Sequence, residues 1–85
     1  MTPCRFLVEG VASPDLPLRI LNLFAQQAIV LDTMAVVRED DRHRIRLAGN
    51  LPVDRARIIL EKIRVMVLVD DAQLVENAQL VGVDQ

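Results

Sequence analysis

The side chains best suited to chemistry in this 85-residue sequence are a set of spaced arginines. Arg42, Arg44 and Arg46 alternate with other residues, so in a β-strand they share one face of a sheet. Arg5 is expected to lie on a neighbouring strand of the same sheet. Guanidinium groups in such a row can bind an anion, an RNA backbone or an acidic protein surface. These four arginines form the candidate anion-binding or partner-binding face.

Nucleic-acid binding is the less favoured of these uses. An RNA-binding sheet usually displays aromatic side chains for base stacking, and the sequence has only Phe6 and Phe24, neither on the arginine face. Acidic residues of the same sheet can instead pair with the arginines across strands. Glu9 is one such residue, and Asp32 or Glu39 is another, depending on register. The pattern favours a lattice of ion pairs or a protein interface.

The remaining reactive side chains do not form a catalytic set. His43 is the only histidine, and no nucleophile or carboxylate lies at a recognisable spacing from it, so a structural role is predicted. Cys4 is the only cysteine, which excludes an internal disulfide, and Arg5 is its only basic neighbour. The aspartate pairs 40–41 and 70–71 offer too few ligands for calcium. We predict no catalytic residue, no metal site and no cofactor.

Length and composition indicate one small domain. The hydrophobic fraction is 52%, which is high for a short chain and predicts an apolar surface patch of the kind that marks interfaces. The net charge of −2 gives no general attraction to nucleic acid or membranes. Apolar runs are too short for a membrane span, and the N-terminus lacks the order of a signal peptide. A cytoplasmic location is expected.

Hydrophobic periodicity predicts six elements. The first half reads as a strand over 5–9, a helix over 16–27 that Ser13 or Asp15 can cap, and a strand over 29–37. A charged turn over 38–42 leads to a strand over 43–47. Residues 49–52 are predicted to end this strand, and Asn50 can cap the next helix. A helix with apolar residues at 56, 59, 60 and 63 follows, then a strand over 66–69. We place a domain at 1–71 and a C-terminal tail of uncertain structure at 72–85.

This order predicts the fold class α+β, ferredoxin-like βαββαβ. Right-handed crossovers arrange such a chain as a four-stranded antiparallel sheet with both helices on one face. Phe6, Val8, Ile45 and Leu47 are predicted to point toward the helices, together with His43. The other sheet face is left open to solvent or to a partner.

Two segments resemble the ACT domain family. Residues 13–24 (Ser-Pro-Asp-Leu-Pro-Leu-Arg-Ile-Leu-Asn-Leu-Phe) resemble its first loop and helix, where a turn with Pro precedes Leu-x-Arg-Val-x-x-Leu-Phe. Leu-Glu-Lys-Ile at 60–63, followed by the valine-rich segment 65–69, looks like its Leu-x-Lys-Leu-Val-Asp-Val segment. The resemblance covers roughly residues 5–70. Within the family it is closest to the short, single-domain small regulatory subunit of acetolactate synthase.

The resemblance implies a ligand-binding site at the first loop and the start of the second strand. The matching residues here are Ser13, Asp15 and Leu16, beside Val30 and Leu31. Two of them depart from the family pattern, since Asp15 stands where many effector-binding members have Gly, and Val30 where Asn is frequent. Both departures disfavour an amino-acid effector at this site. The alternative interpretation is a helix cap followed by a hydrophobic strand start.

The sequence therefore predicts a small regulatory or protein-binding module and not an enzyme. The resemblance implies a larger, thiamine-dependent catalytic subunit as partner, in branched-chain amino-acid biosynthesis, or a homodimer of this chain. The alternative is a free-standing homodimeric sensor of a small molecule such as an amino acid.

Overall fold

The computed structural model describes residues 1–77. Six elements follow one another: β1 (Thr2–Val11), α1 (Asp15–Gln26), β2 (Thr33–Glu39), β3 (Arg42–Leu51), α2 (Val53–Arg64) and β4 (Val69–Glu76). The four strands form one sheet in the order β2-β3-β1-β4, and every neighbouring pair is antiparallel. The predicted ferredoxin-like βαββαβ fold is confirmed.

The core lies between one face of this sheet and the two helices. Alternate residues of β1, namely Cys4, Phe6 and Val8, point into it, because successive side chains of a strand face opposite sides. The ring centroids of Phe6 and Phe24 are 5.1 Å apart, with the rings at 85°, an edge-to-face contact. Each helix contributes one apolar stripe, and these stripes comprise Leu16, Ile20, Phe24, Ala56, Ile59, Leu60 and Ile63. Within residues 1–77 no polar or charged residue is buried.

The second strand begins at Thr33, so the predicted start at residue 29 is wrong. The reason lies in the end of α1. Ala28 adopts a φ of 57°, its N–H donates to the Ala25 carbonyl, and the N–H of Ile29 donates to the Phe24 carbonyl, both at 3.0 Å. This arrangement is a Schellman cap. Apolar Ile29 therefore closes the helix instead of opening a strand.

The third strand continues through Gly49 to Leu51, so the prediction that residues 49–52 end it is wrong. Leu51 still pairs with Thr2 of β1. Asn50 does not cap α2, because Pro52 occupies the N-cap position and no side chain bonds there. Gly49 has a packing role, since a Cβ at this position would lie only 3.3 Å from the Val30 carbonyl oxygen.

The fourth strand spans Val69–Glu76, whereas the sequence predicts it over 66–69. The end of α2 passes into turns, in which the N–H of Met66 donates to the Ile63 carbonyl and the N–H of Val69 to the Met66 carbonyl, both at 3.1 Å. β4 consequently runs past residue 71, where the sequence places the domain boundary. Of the predicted tail, residues 78–85 lie outside the described part of the chain.

Candidate functional site

The sheet face turned away from the helices is not covered by any other element of residues 1–77, and it carries most of the sheet's charge. We call it the open face. Period-two alternation and the strand register place on it Arg5, Leu7, Glu9, Val11, Thr33, Ala35, Val37, Glu39, Arg42, Arg44, Arg46, Ala48, Asp71, Gln73 and Val75. All four arginines singled out from the sequence therefore share one surface.

Two of these arginines are held by carboxylates at one end of the open face. Nε of Arg44 lies 3.4 Å from a carboxylate oxygen of Glu9 on β1 and 3.6 Å from one of Glu39 on β2. The register thus selects Glu39 over Asp32 as the second acidic partner. Arg42 bonds to Asp70, and this hydrogen bond raises the pKa of the Arg42 guanidinium further above its ordinary value. These arginines already have their counter-charges.

The other two arginines have no such partner among residues 1–77. Arg5 lies opposite Ala48 of β3 on one side and Val75 of β4 on the other. Arg46 lies opposite Leu7 and Ala35. Because every directly opposed residue is uncharged, the register leaves both guanidinium groups available on the surface.

The loop between β1 and α1 is the site implied by the family resemblance, and its backbone donors are already used. The N–H of Ser13 donates to Nδ1 of His43 (3.3 Å), which ties the loop to the start of β3. The N–H of Asp15 donates to the Ser13 hydroxyl (3.1 Å), and the N–H of Ala12 to the Asp41 carbonyl (2.8 Å). His43 thus holds the loop.

The structure does not bring the five predicted ligand residues together in one chain. Ser13 lies beside His43 at the start of β3, while the backbone of Val30 and Leu31 packs beside Gly49 near its end. Six residues of extended strand separate these two points by about 20 Å. Leu16 is fully buried in the core, and Asp15 is exposed at the first turn of α1. A ligand the size of an amino acid therefore cannot touch both segments within one chain.

The helix layer exposes apolar side chains that the sequence analysis did not single out as a site. Leu18 and Leu21 of α1 are 64% and 42% exposed, and Ile58 of α2 and Val65, directly after α2, are exposed as well. Leu18 and Leu21 share one side of α1 with Ala25, because residues three and four apart are neighbours on a helix. The signal in the sequence is that α1 is apolar around most of its circumference, which is more than a single core requires.

The described residues contain few other chemically active groups. Burial raises the pKa of the Cys4 thiol, and the nearby Glu76 carboxylate adds to this effect. Within residues 1–77, no three His, Cys, Asp or Glu side chains are grouped so as to hold a metal ion. None of the helices in this part of the chain has the length and apolar character needed to cross a membrane.

With this geometry in hand, the chain can be compared with known proteins. A family model described as an ACT-like domain matches residues 1–81. The chain belongs to the ACT-like domain family. No curated protein matches the sequence. The resemblance of residues 13–24 and 60–69 to ACT domains is therefore confirmed at the level of the family.

Solved structures agree with an ACT-like domain. The crystal structure of the ACT domain of GTP pyrophosphokinase from Chlorobium tepidum has a TM-score of 0.75 at 12% identity, over 88% of this chain and 100% of that chain. An ACT domain protein from Streptococcus pneumoniae has a TM-score of 0.72 at 11% identity, over 93% of each chain. Homoserine dehydrogenase from Thiobacillus denitrificans has a TM-score of 0.74 at 16% identity, over 88% of this chain and 17% of that chain. At such identities the likeness establishes the fold alone.

Proposed function

We propose that this ACT-like domain is a regulatory module that acts by binding a larger catalytic protein, and that it carries out no reaction itself. The observation that supports this most directly is the exposed apolar side of α1, with Leu18 and Leu21. Burying two leucine side chains is favourable by roughly 1.5–3 kcal/mol each. A domain that leaves them in water gains most when a partner covers them.

The partner we propose is the thiamine-dependent catalytic subunit of an acetolactate synthase-type enzyme. Support comes from the resemblance of residues 13–24 and 60–69 to the small regulatory subunit of that enzyme. The partner would carry the cofactor, and this chain would stabilise its active arrangement. Because the backbone donors of Ser13 and Asp15 are already bonded, we propose a weak or absent response to branched-chain amino acids.

The test adds the full chain to the purified catalytic subunit from the same organism and follows synthase activity and co-elution. We expect the wild-type chain to raise activity and to co-elute. Leu18→Lys places a charge in the proposed contact, so it should abolish both effects while leaving the circular-dichroism spectrum unchanged. Val65→Lys, at an exposed apolar position directly after α2, is the control and should behave as wild type. No change of activity with the wild-type chain would rule the proposal out.

The second candidate function is a homodimeric sensor of an amino acid. The observation that favours it is the separation of Ser13 from Val30 and Leu31 in one chain, because two chains side by side would supply one segment each. Analytical ultracentrifugation should then show a dimer, and an amino acid from a panel should raise its melting temperature. A monomer whose melting temperature does not respond to the panel would eliminate this candidate.

A further inference from the structure

The open face has a depression around Arg5 and Arg46, the two arginines of this face that form no ion pair with residues 1–77. A cavity of about 460 Å³ opens there. This volume falls in the range typical of sites for small molecules. Its walls and floor include Arg5, Arg46, Leu7, Ala35, Ala48 and Thr33. Two positive charges thus stand over a floor of small apolar side chains.

The strand register sets the spacing of the two guanidinium groups. Arg5 is opposite Ala48, and Arg46 lies two residues before Ala48 on β3. The two arginines are therefore diagonal neighbours, and the points where their side chains leave the backbone are about 7–8 Å apart. Arginine side chains are long enough to converge on one oxyanion from that distance. Each presents a planar fork of N–H donors that matches a carboxylate or a phosphate. Ala35 and Ala48 are too small to fill the space between them.

The charges of the open face are separated along the strands. The end with Arg42 and Arg44 also carries Glu9, Glu39, Asp70 and Asp71, which makes four carboxylates against two guanidinium groups. The strand positions at the end with Arg5 and Arg46 carry no carboxylate among residues 1–77, and Asp32, in the loop before β2, lies at the margin of this end with its Oδ2 3.5 Å from Nδ2 of Asn50. A long polyanion that reached the basic end would lie partly against the acidic end. A small anion would meet the basic end alone.

Nucleic acid is disfavoured by a second observation. Single-stranded nucleic acids bind through aromatic platforms in addition to positive charge. The sequence contains no Trp or Tyr, and its two aromatic residues, Phe6 and Phe24, are both fully buried. The open face therefore has no aromatic platform on which a base could stack.

We propose that the cavity between Arg5 and Arg46 binds a small organic anion. The guanidinium groups hold its carboxylate or phosphate, and its apolar part lies on Leu7, Ala35 and Ala48. This site is on the opposite side of the sheet from Leu18 and Leu21, so it does not depend on the proposed partner contact. The bound anion would thus contact the side of the sheet that the helices do not cover.

The experiment titrates the ¹⁵N-labelled full chain with phenyl phosphate, phenylacetate and inorganic phosphate, and follows amide and Arg Nε signals by NMR. We expect saturable shifts at Arg5, Arg46, Ala35 and Ala48. Phenyl phosphate and phenylacetate distinguish a phosphate ligand from a carboxylate ligand. At least one of them should bind more tightly than inorganic phosphate, because only the organic anions use the apolar floor. High salt should weaken binding.

Two variants decide whether the arginine pair is responsible. Arg46→Gln should weaken binding of the organic anion about tenfold or more, since it removes charged hydrogen bonds. Arg38→Gln removes the same charge from the other face of the sheet and should leave the affinity unchanged. Equal losses in both variants would mean attraction to net charge only, and shifts absent from Ala35 and Ala48 would mean that the cavity is not a site. Either result overturns the proposal.

Discussion

The two faces of the central strand β1 carry different kinds of side chain. Cys4, Phe6 and Val8 point to the helices and are buried, while Arg5 and Leu7, between them in sequence, point to the open face. The residues that stabilise the fold and those free to recognise a ligand thus alternate one by one. A substitution at one residue and at its neighbour therefore tests two different properties of the same strand.

The largest expected effect separates the two faces at adjacent residues. Phe6→Ala should lower the free energy of unfolding by about 3–5 kcal/mol, because it leaves a cavity and removes the edge-to-face contact with Phe24. Small domains have only about 5–15 kcal/mol in total, so this variant loses much of its stability. Leu7→Ala, half-buried on the open face, should lose about 1 kcal/mol. Urea denaturation measures both. Similar losses for the two would mean that something covers the open face in solution.

The next effect compares two glycines that both face the helix side of the sheet. A Cβ at Gly10 would lie 2.2 Å from the Leu68 carbonyl oxygen, which already accepts the N–H of Val11 at 2.9 Å. Because the added Cβ would overlap a backbone atom, which cannot move aside as a side chain can, Gly10→Ala should cost about 1–3 kcal/mol of stability. Gly49→Ala would place its Cβ 3.3 Å from the Val30 carbonyl oxygen, a much milder overlap, and should cost less.

Thermal unfolding followed by circular dichroism ranks these two variants against wild type. The expected order of melting temperatures is wild type, then Gly49→Ala, then Gly10→Ala. The reverse order would mean that the turn at Leu68 gives way more easily than the loop at Val30. The packing of β4 against β1 would then be looser than the contacts of Gly10 indicate.

The fold could be predicted from the sequence where the pattern is local. Strict alternation over residues 42–47 and the apolar spacing at 56, 59, 60 and 63 identify a strand and a helix directly, and the structure has both. Prediction failed where apolar residues lie at the end of a helix or in a turn. Ile29 closes a helix cap, and Val67 is 96% exposed in the turn before β4. Periodicity alone does not distinguish such residues from a strand.

The candidate site depended on information that a single sequence does not carry. The arginine row and its orientation follow from alternation, but the partners follow from strand register. Whether Asp32 or Glu39 meets Arg44 is decided by the tight turn that sets Glu39 opposite Arg42. Arg5 and Arg46 are neighbours because β1 pairs with β3, and this pairing joins residues about forty positions apart. Such pairing is fixed by the packed core and not by local sequence.

The smallest effect concerns the two ends of the open face. Arg44→Gln removes ion pairs with Glu9 and Glu39 at 3.4 and 3.6 Å, but all three side chains are about half-exposed. Water and salt screen such pairs, so the loss of stability should be about 1 kcal/mol or less and should disappear in about 1 M salt. Arg46 forms no ion pair with residues 1–77, so Arg46→Gln should unfold like wild type at any salt concentration. Urea denaturation at low and high salt measures the difference. If Arg46→Gln lost more stability than Arg44→Gln, or lost stability that salt does not change, Arg46 would stabilise the fold. The basic end of the open face would then not be available for a ligand.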